Sequence, residues 1–446
     1  MRSRLPKVLH PLCGLPIIEH ALRTVTAATH TRPLVVVGTG PDADAVRAAI
    51  GARAEIAVQA EAQGTGHAVM QAEQAFHATA PADDSSGHVV ITAADMPLIR
   101  PQTLRALIEL RQRTGAAIAM LTVVVDDPRG FGRVVRDSPT GQVRAIVEEV
   151  ACTPEQRAIH ELNGAVYCMD GTWLWGAVRR IQPNPHKGEY FLTDLVEIAV
   201  ADGRAVEALV ADDVDECIGI NTRVDLADAA AALRKRINRA HMLNGVSIVD
   251  GQNTYIEPDV QLGPDTVVLP NTHILGHSRV GANCVIGPNS ILSNAVVGDG
   301  VEIRQSVLEN AQVDDGADVG PFSHLRDGAH VCAGAHVGNF GEIKKSTLGP
   351  HSKMGHFSYL GDATVGENVN IGAGAITCNY DGFKKNPTII QDGAFIGSDT
   401  LLVAPVTVGA NATTGAGAVV TKNVPADTVA VGLPARVVRR KNKGSA

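Results

Sequence analysis

Aromatic residues are scarce: eight Phe, five Tyr and two Trp in 446 residues, against 45 Gly. A broad aromatic core is therefore excluded, and the composition suits a narrow interior lined by small aliphatic side chains. The seven Cys are scattered and form no C-x-x-C pair. Neither a disulfide framework nor a zinc site is expected, and the chain reads as cytosolic. No apolar run approaches the length of a membrane span, and there is no sign of a signal peptide. Positive charge is not in excess: a formal charge of −8 and a pI near 6.0 argue against nucleic acid as the main partner. The length suggests two or three domains.

What is present is a period of six. From Ile256 an aliphatic residue returns at Leu262, Val268, Ile274, Val280, Ile286 and Leu292, and after a slip of phase at Val313, Val319, Leu325, Val331, Val337 and Ile343. It continues, with further slips, through Leu348, Met354, Leu360, Val365, Ile371, Ile390, Ile396, Leu402 and Val408. Such a period is neither helical nor the alternation of an ordinary sheet. It predicts a parallel β-helix of hexapeptide repeats, each hexad one short strand and one corner. The rhythm stops between Ile376 and Ile389, where Thr377 to Thr388 read as a long loop. A loop leaving a regular solenoid is where binding residues collect. Just upstream stand Lys344, His356 and Tyr359, with Arg326 a few repeats earlier.

Residues 1 to about 220 read as α/β. Leu34 to Val37, Glu55 to Val58, Val89 to Ile91 and Ala117 to Val125 are expected strands, and Ile17 to Thr26, Gly66 to Ala75 and Gln102 to Arg113 expected helices. Asp95 follows a strand, at the sheet end where ligands bind, although such an Asp is often a helix cap. Lys7 lies beside a Pro-fixed turn, and Gln59 to Ala68 form a small polar loop before a helix, whose start suits an anion. Gly132, Glu148, Asn163 and Asn221 lie at further turns, a common use of Gly and Asn.

The order of these stretches resembles the family of bacterial bifunctional N-acetylglucosamine-1-phosphate uridylyltransferase / glucosamine-1-phosphate N-acetyltransferases, over nearly the whole chain. The most specific matches are residues 5–10 (Leu-Pro-Lys-Val-Leu-His), 64–68 (Gly-Thr-Gly-His-Ala), 188–194 (Gly-Glu-Tyr-Phe-Leu-Thr-Asp), 334–340 (Gly-Ala-His-Val-Gly-Asn-Phe) and 370–382. The resemblance implies an α/β nucleotidyltransferase (Rossmann-like) domain over 1–222, a linker helix over 223–245, a left-handed parallel β-helix acetyltransferase domain over 246–436 and a basic tail over 437–446. For acetyl transfer it implies His356 as general base, a task that histidine suits near neutrality. Arg326, Lys344 and Lys385 would hold the sugar phosphate, and Tyr359, Asn370 and Asn379 the sugar. Asn379, close to the reacting acetyl group, and Ala373, Tyr380, Ser398 and Ala416 would line the acetyl-CoA site. For uridylyl transfer it implies Mg²⁺ on Asp95 and Asn221, Gln59, Gly64 and Thr65 on uracil, Gly132, Glu148 and Asn163 on the N-acetylglucosamine ring, and Lys7 on phosphate. The implied small-molecule partners are UTP, glucosamine-1-phosphate, N-acetylglucosamine-1-phosphate and acetyl-CoA, in a cytoplasmic homotrimer.

Family members carry, before the Leu-Pro-Lys stretch, a hydrophobic strand and a glycine-rich loop ending in Gly-Thr-Arg-Met, and Met1 falls where that Met stands. Strand and loop are expected to be missing, through a translation start placed too late or a genuine loss of the first activity. The intact remaining motifs favour the former. Ala94 and Ala165 replace the usual Gly. Val224 to Asn238 are expected as an amphipathic arm with Leu226, Ala230, Leu233 and Ile237 on one face, and Arg436 to Lys443 as a solvated end. Bifunctional synthesis of UDP-N-acetylglucosamine is thus the leading expectation. The alternatives are an acetyltransferase with an inactive first half, and a non-catalytic sugar-sensing scaffold.

Overall fold

The computed structural model describes residues 1–79, 87–128, 131–184 and 188–440. The chain divides into two compact units, Met1–Ala232 and Leu233–Ala446.

In the first unit the strand Ile118–Val124 is buried along all but its last residue, so its sequence is a continuous apolar run rather than an alternation. It pairs in parallel with Val206–Val210 and antiparallel with Glu161–Asp170, which also pairs with His88–Ile91 and, through Arg133–Arg136, leads to Val143–Val147. Leu34–Val37 and Glu55–Val58 form a separate parallel pair. Among the described residues no strand joins the two sheets. The helix Pro101–Thr114 shows how local sequence sets its ends: Pro sits at its start, where no N–H partner is needed, and Gly115 in the left-handed region closes it on Arg111 O.

The second unit is a left-handed β-helix with three parallel walls of twelve, ten and nine strands, the last strand of the first wall being a reversed one. The first wall begins at Ser247–Ile248, the second at Thr254–Ile256 and the third at Gln261–Leu262. In most strands one aliphatic side chain points inward and stacks on its counterpart one coil away, as Val280, Val297, Val313, Val331, Leu348 and Val365 do on the third wall. The phase slips of the repeat are short coils: Gln261 pairs with Arg279, but Arg279 with Val296, one residue sooner. The long loop is the opposite case, with Val365 pairing across it to Ile390. Thr377 interrupts the second wall's aliphatic row at this coil. Fully buried, its Oγ1 accepts from Gly361 N at 2.7 Å, fixing the strand end beneath the loop.

The helix Arg223–Leu243 spans the division between the units. Its expected apolar face is only partly buried; Ala229 and Ala232 are the buried apolar positions, since alanine allows the closest approach. Asn238 donates to Gly251 O at 2.9 Å and Thr254 O at 3.0 Å, fastening the helix to the first coil. The basic segment expected as a solvated end is partly ordered. Arg436–Arg440 form an exposed strand antiparallel to Thr428–Val431, because the last coil offers unpaired backbone groups. Residues 441–446 lie outside the described residues.

Candidate active sites

In the β-helix the corner between first and second walls carries a groove of about 710 Å³. His356, Asn370, Ala373, Ser398 and Ala416, all expected at the acetyltransferase site, line it together with His336, Lys353, Phe395 and Thr413. The small residues are there because Gly355, Gly372, Gly397 and Gly415 alternate with them along the corner and leave the groove floor as backbone. Asn370, expected with the sugar, thus lies among the positions expected for acetyl-CoA.

The remaining expected residues gather on the second wall and at its far end, where the chain leads to the third. Strand Gly341–Lys344 stacks on Ser358–Gly361, placing Glu342 against Tyr359 and Lys344 against Gly361. Arg326 Nη1 donates to Glu342 Oε1 at 2.7 Å. A Cβ built at Gly361 would collide with Tyr359 Oη and lie 2.6 Å from Asn379 Nδ2, so these two polar groups converge over that glycine. Asn379 Nδ2 donates to Asp362 Oδ2 at 2.6 Å, and Lys385 Nζ stands 3.9 Å from the same oxygen. Tyr380 turns to Gly382 O at 2.6 Å and is exposed. Glu342 and Asp362 are the carboxylates that sequence reading did not single out; their signal would have been a position one coil from each expected cation. Asp381 shapes the loop, accepting from Phe383 N, Lys384 N and Asn386 Nδ2, each at 2.9 Å. The amides of Lys384 and Phe383, with Asn386, hold its carboxyl down at about 2.

The first unit brings its expected residues into three groups. Lys7 Nζ donates to Asp95 Oδ2 at 2.5 Å and Asn221 Oδ1 at 2.9 Å, so carboxylate and carboxamide oxygens converge on one positive charge. Two devices hold them. Ile220 N donates to Asp95 O at 2.9 Å, and Asp225 Oδ2 accepts from Asn221 N and Thr222 N at 2.9 and 2.7 Å. Behind them the fully buried Glu216 accepts from Arg100 N and Nε at 2.9 and 2.6 Å. Sequence reading missed Glu216 and Asp225, whose partners are far away or in the backbone.

The second group is the polar loop. Gln59 Nε2 donates to Gly64 O at 3.1 Å, and Thr65 Oγ1 accepts from Leu192 N at 3.0 Å. Gly64 has φ +100°, and a Cβ there would lie 2.6 Å from Tyr190 O, so no other residue fits. In the third group a Cβ at Gly132 would lie 3.6 Å from Glu148 Oε1 and 3.8 Å from Asn163 Cβ, and Asn163 Oδ1 accepts from the buried Tyr167 hydroxyl at 3.0 Å. Burial pushes that phenol's pKa up, keeping it a donor. Ala165, where the family usually has Gly, is held at φ +52°.

The segment 188–194 connects the last two groups. Leu192 holds Thr65, while burial, then Glu197 and Glu148, push the Asp194 carboxyl up to about 6. A raised carboxyl binds its proton more tightly when folded, so this group's contribution to stability falls as pH rises from about 4 to about 6. Urea unfolding followed between those pH values is expected to show the decline, and Asp194→Asn to flatten it; an unchanged slope would reject the assignment.

Comparison with known proteins gives matches in both units. Residues 1–162 match the MobA-like NTP transferase domain. Residues 259–294 match the bacterial transferase hexapeptide (six repeats), and 387–422 the hexapeptide repeat of succinyl-transferase. Along nearly its whole length the chain is similar to curated proteins named bifunctional protein GlmU. The one from Exiguobacterium sibiricum is 43% identical, with 97% of this chain and 94% of the relative covered. The one from Heliobacterium modesticaldum is 44% identical (100% and 96%), and that from Trichlorobacter lovleyi 44% (97% and 92%).

Proposed function

The chain belongs to the family of bifunctional GlmU proteins, and from that premise we propose how its residues divide the synthesis of UDP-N-acetylglucosamine. It is an acetyltransferase and a uridylyltransferase. The acetyl-transfer reading rests on one observation: His356 lines the groove together with Asn370, Ala373, Ser398 and Ala416, just before the strand Ser358–Gly361 that bears Tyr359 and stacks on the strand of Lys344.

Acetyl-CoA occupies the groove over Ala373, Ser398 and Ala416, whose short side chains admit its pantetheine arm. Arg326, Lys344 and Lys385 bind the phosphate of glucosamine-1-phosphate, Arg by its planar fork and Lys as point charges. Tyr359 orients the sugar ring. His356 removes a proton from the 2-ammonium, the freed amine attacks the acetyl carbon, and the carbon–sulfur bond breaks to release coenzyme A. Glu342 and Asp362 keep the cations apart and aimed before the phosphate arrives.

In the first unit Gln59, Gly64 and Thr65 read uracil, and Gly132, Glu148 and Asn163 hold the N-acetylglucosamine ring. Asp95 and Asn221 would hold Mg²⁺, which when bound supplies charge neutralisation on the phosphates. The donor set fits, since two hard oxygen donors already meet on the ammonium of Lys7. Lys7 then turns to phosphate and stabilises charge as the sugar phosphate attacks the α-phosphorus and pyrophosphate leaves. A cytoplasmic homotrimer belongs to the same proposal. Among the described residues no helix is long and apolar enough to cross a membrane.

The test uses the purified chain with both substrate sets. Acetyl-CoA and glucosamine-1-phosphate are expected to give free coenzyme A, and UTP with N-acetylglucosamine-1-phosphate and Mg²⁺ to give pyrophosphate. Acetylation without pyrophosphate would reject uridylyl transfer by this chain and leave the acetyltransferase with an inactive first half.

A further inference from the structure

We propose that Asp314, His330 and Cys332, on the third wall of the β-helix, form a binding site for a divalent transition-metal ion of the zinc class. This lies outside both active sites, and it is built by coil stacking. Strand Gln312–Val313 pairs in register with His330–Val331, so Val313 stacks on Val331 inside the tube and Gln312 on His330 outside. Asp314 and Cys332 are the next residues of the two coils and therefore stand one above the other at the same corner. His330, two residues before Cys332, shares its face.

The ligand atoms converge. His330 Nε2 lies 2.7 Å from Asp314 Oδ2 and 3.9 Å from Cys332 Sγ, and all three lie within 4.8 Å of one another. Tetrahedral zinc bond lengths call for a nitrogen–oxygen separation of about 3.3 Å and a sulfur–nitrogen separation of about 3.6 Å. Small side-chain rotations supply the difference. All three residues are half-buried, so they are partly desolvated yet open to an arriving ion. Gln312 Nε2 donates to the other oxygen, Asp314 Oδ1, at 2.8 Å, the kind of outer contact that aims a metal-binding carboxylate. Thiolate, imidazole and one carboxylate select zinc-class ions over Mg²⁺ or Ca²⁺, which prefer all-oxygen sites.

The same coil provides its own controls. His324 pairs with Glu309 at 3.1 Å on the second wall, and His336 with Asp318 at 2.6 Å on the first. Among the described residues only the third-wall pair has a further ligand residue within reach. Cysteine spacing could not flag this site, because Asp314 arrives from the previous coil. On binding, Cys332 releases its thiol proton to solvent. His330 coordinates through Nε2 as the Nδ1-protonated tautomer, so the ion replaces the proton now shared with Asp314.

The experiment is a Co²⁺ titration of the full chain, followed by thiolate-to-cobalt charge-transfer absorption in the near ultraviolet. One saturating equivalent per chain is expected. Cys332→Ser should abolish the band while acetyl transfer persists, which shows the fold intact; Cys378→Ser should keep it. Gln312→Leu should weaken Co²⁺ binding by ~10-fold or more. A band that survives Cys332→Ser, or no band at all, overturns the proposal and leaves Asp314–His330 an ordinary ion pair. Co²⁺ held by Asp95 and Asn221 alone has no sulfur ligand and gives no such band.

Discussion

His356→Ala is expected to lower kcat for acetyl transfer by ~10²–10⁴-fold, the usual contribution of a positioned proton acceptor. The Michaelis constant for acetyl-CoA should move little, because the floor of the groove is supplied by Ala373, Ser398, Ala416 and the glycines between them. His356 lies at a corner, and the inward row there is made by Met354 and Leu360, both buried. Its loss therefore leaves the stacked core intact, and the thermal transition should stay in place. Pyrophosphate release should be unaffected. Full acetyl transfer in the variant would remove His356 from the reaction.

Asp95→Ala gives the complementary result, a fall in pyrophosphate release of at least ~10²-fold with acetyl transfer unchanged. Two effects could confuse this outcome, and their sizes separate them. The Lys7–Asp95 pair is partly exposed on both sides, at 35% and 25%, so its loss costs only about 0–1 kcal/mol of stability. The activity loss is far larger than that and cannot be unfolding. A parallel Lys7→Ala chain removes the ammonium but spares both oxygen donors. It should lose transfer rate and keep its response to Mg²⁺, whereas Asp95→Ala should require much more Mg²⁺ for any residual rate. If both variants respond to Mg²⁺ alike, Asp95 is not the metal-holding residue.

The β-helix was legible because its stability rule is written three times per coil, once on each wall. An inward aliphatic every six residues is a direct consequence of a three-walled tube, and even the slips have a physical meaning as coils one residue short. The break at Thr377 to Thr388 was legible for the same reason. Contacts that depend on which coil lies beneath which were not. The partnership of Arg326 with Glu342, and of Asn379 and Lys385 with Asp362, requires counting whole coils of unequal length. In the first unit the strand Leu34–Val37 was readable to the residue, yet its separation from the main sheet was not, since sheet membership is a long-range property. Glu216 was invisible because its partner Arg100 lies 116 residues away. Ala165 was readable as a departure, and the structure adds that it sits where an L-residue is strained.

The reversed strand Arg436–Arg440 bears on how such a tube remains a particle of fixed length. A stack of parallel coils is a template at its open end, because the final row of amides and carbonyls can accept another coil from any neighbouring molecule. In this chain that row, on Thr428–Val431, is taken by a strand running the wrong way for the stack to continue. Three of its five residues are arginines, so two copies approaching by this same end would bring like charges together. Continuation of the first wall is thereby opposed by the polarity of the backbone as well as by the charge of its last strand.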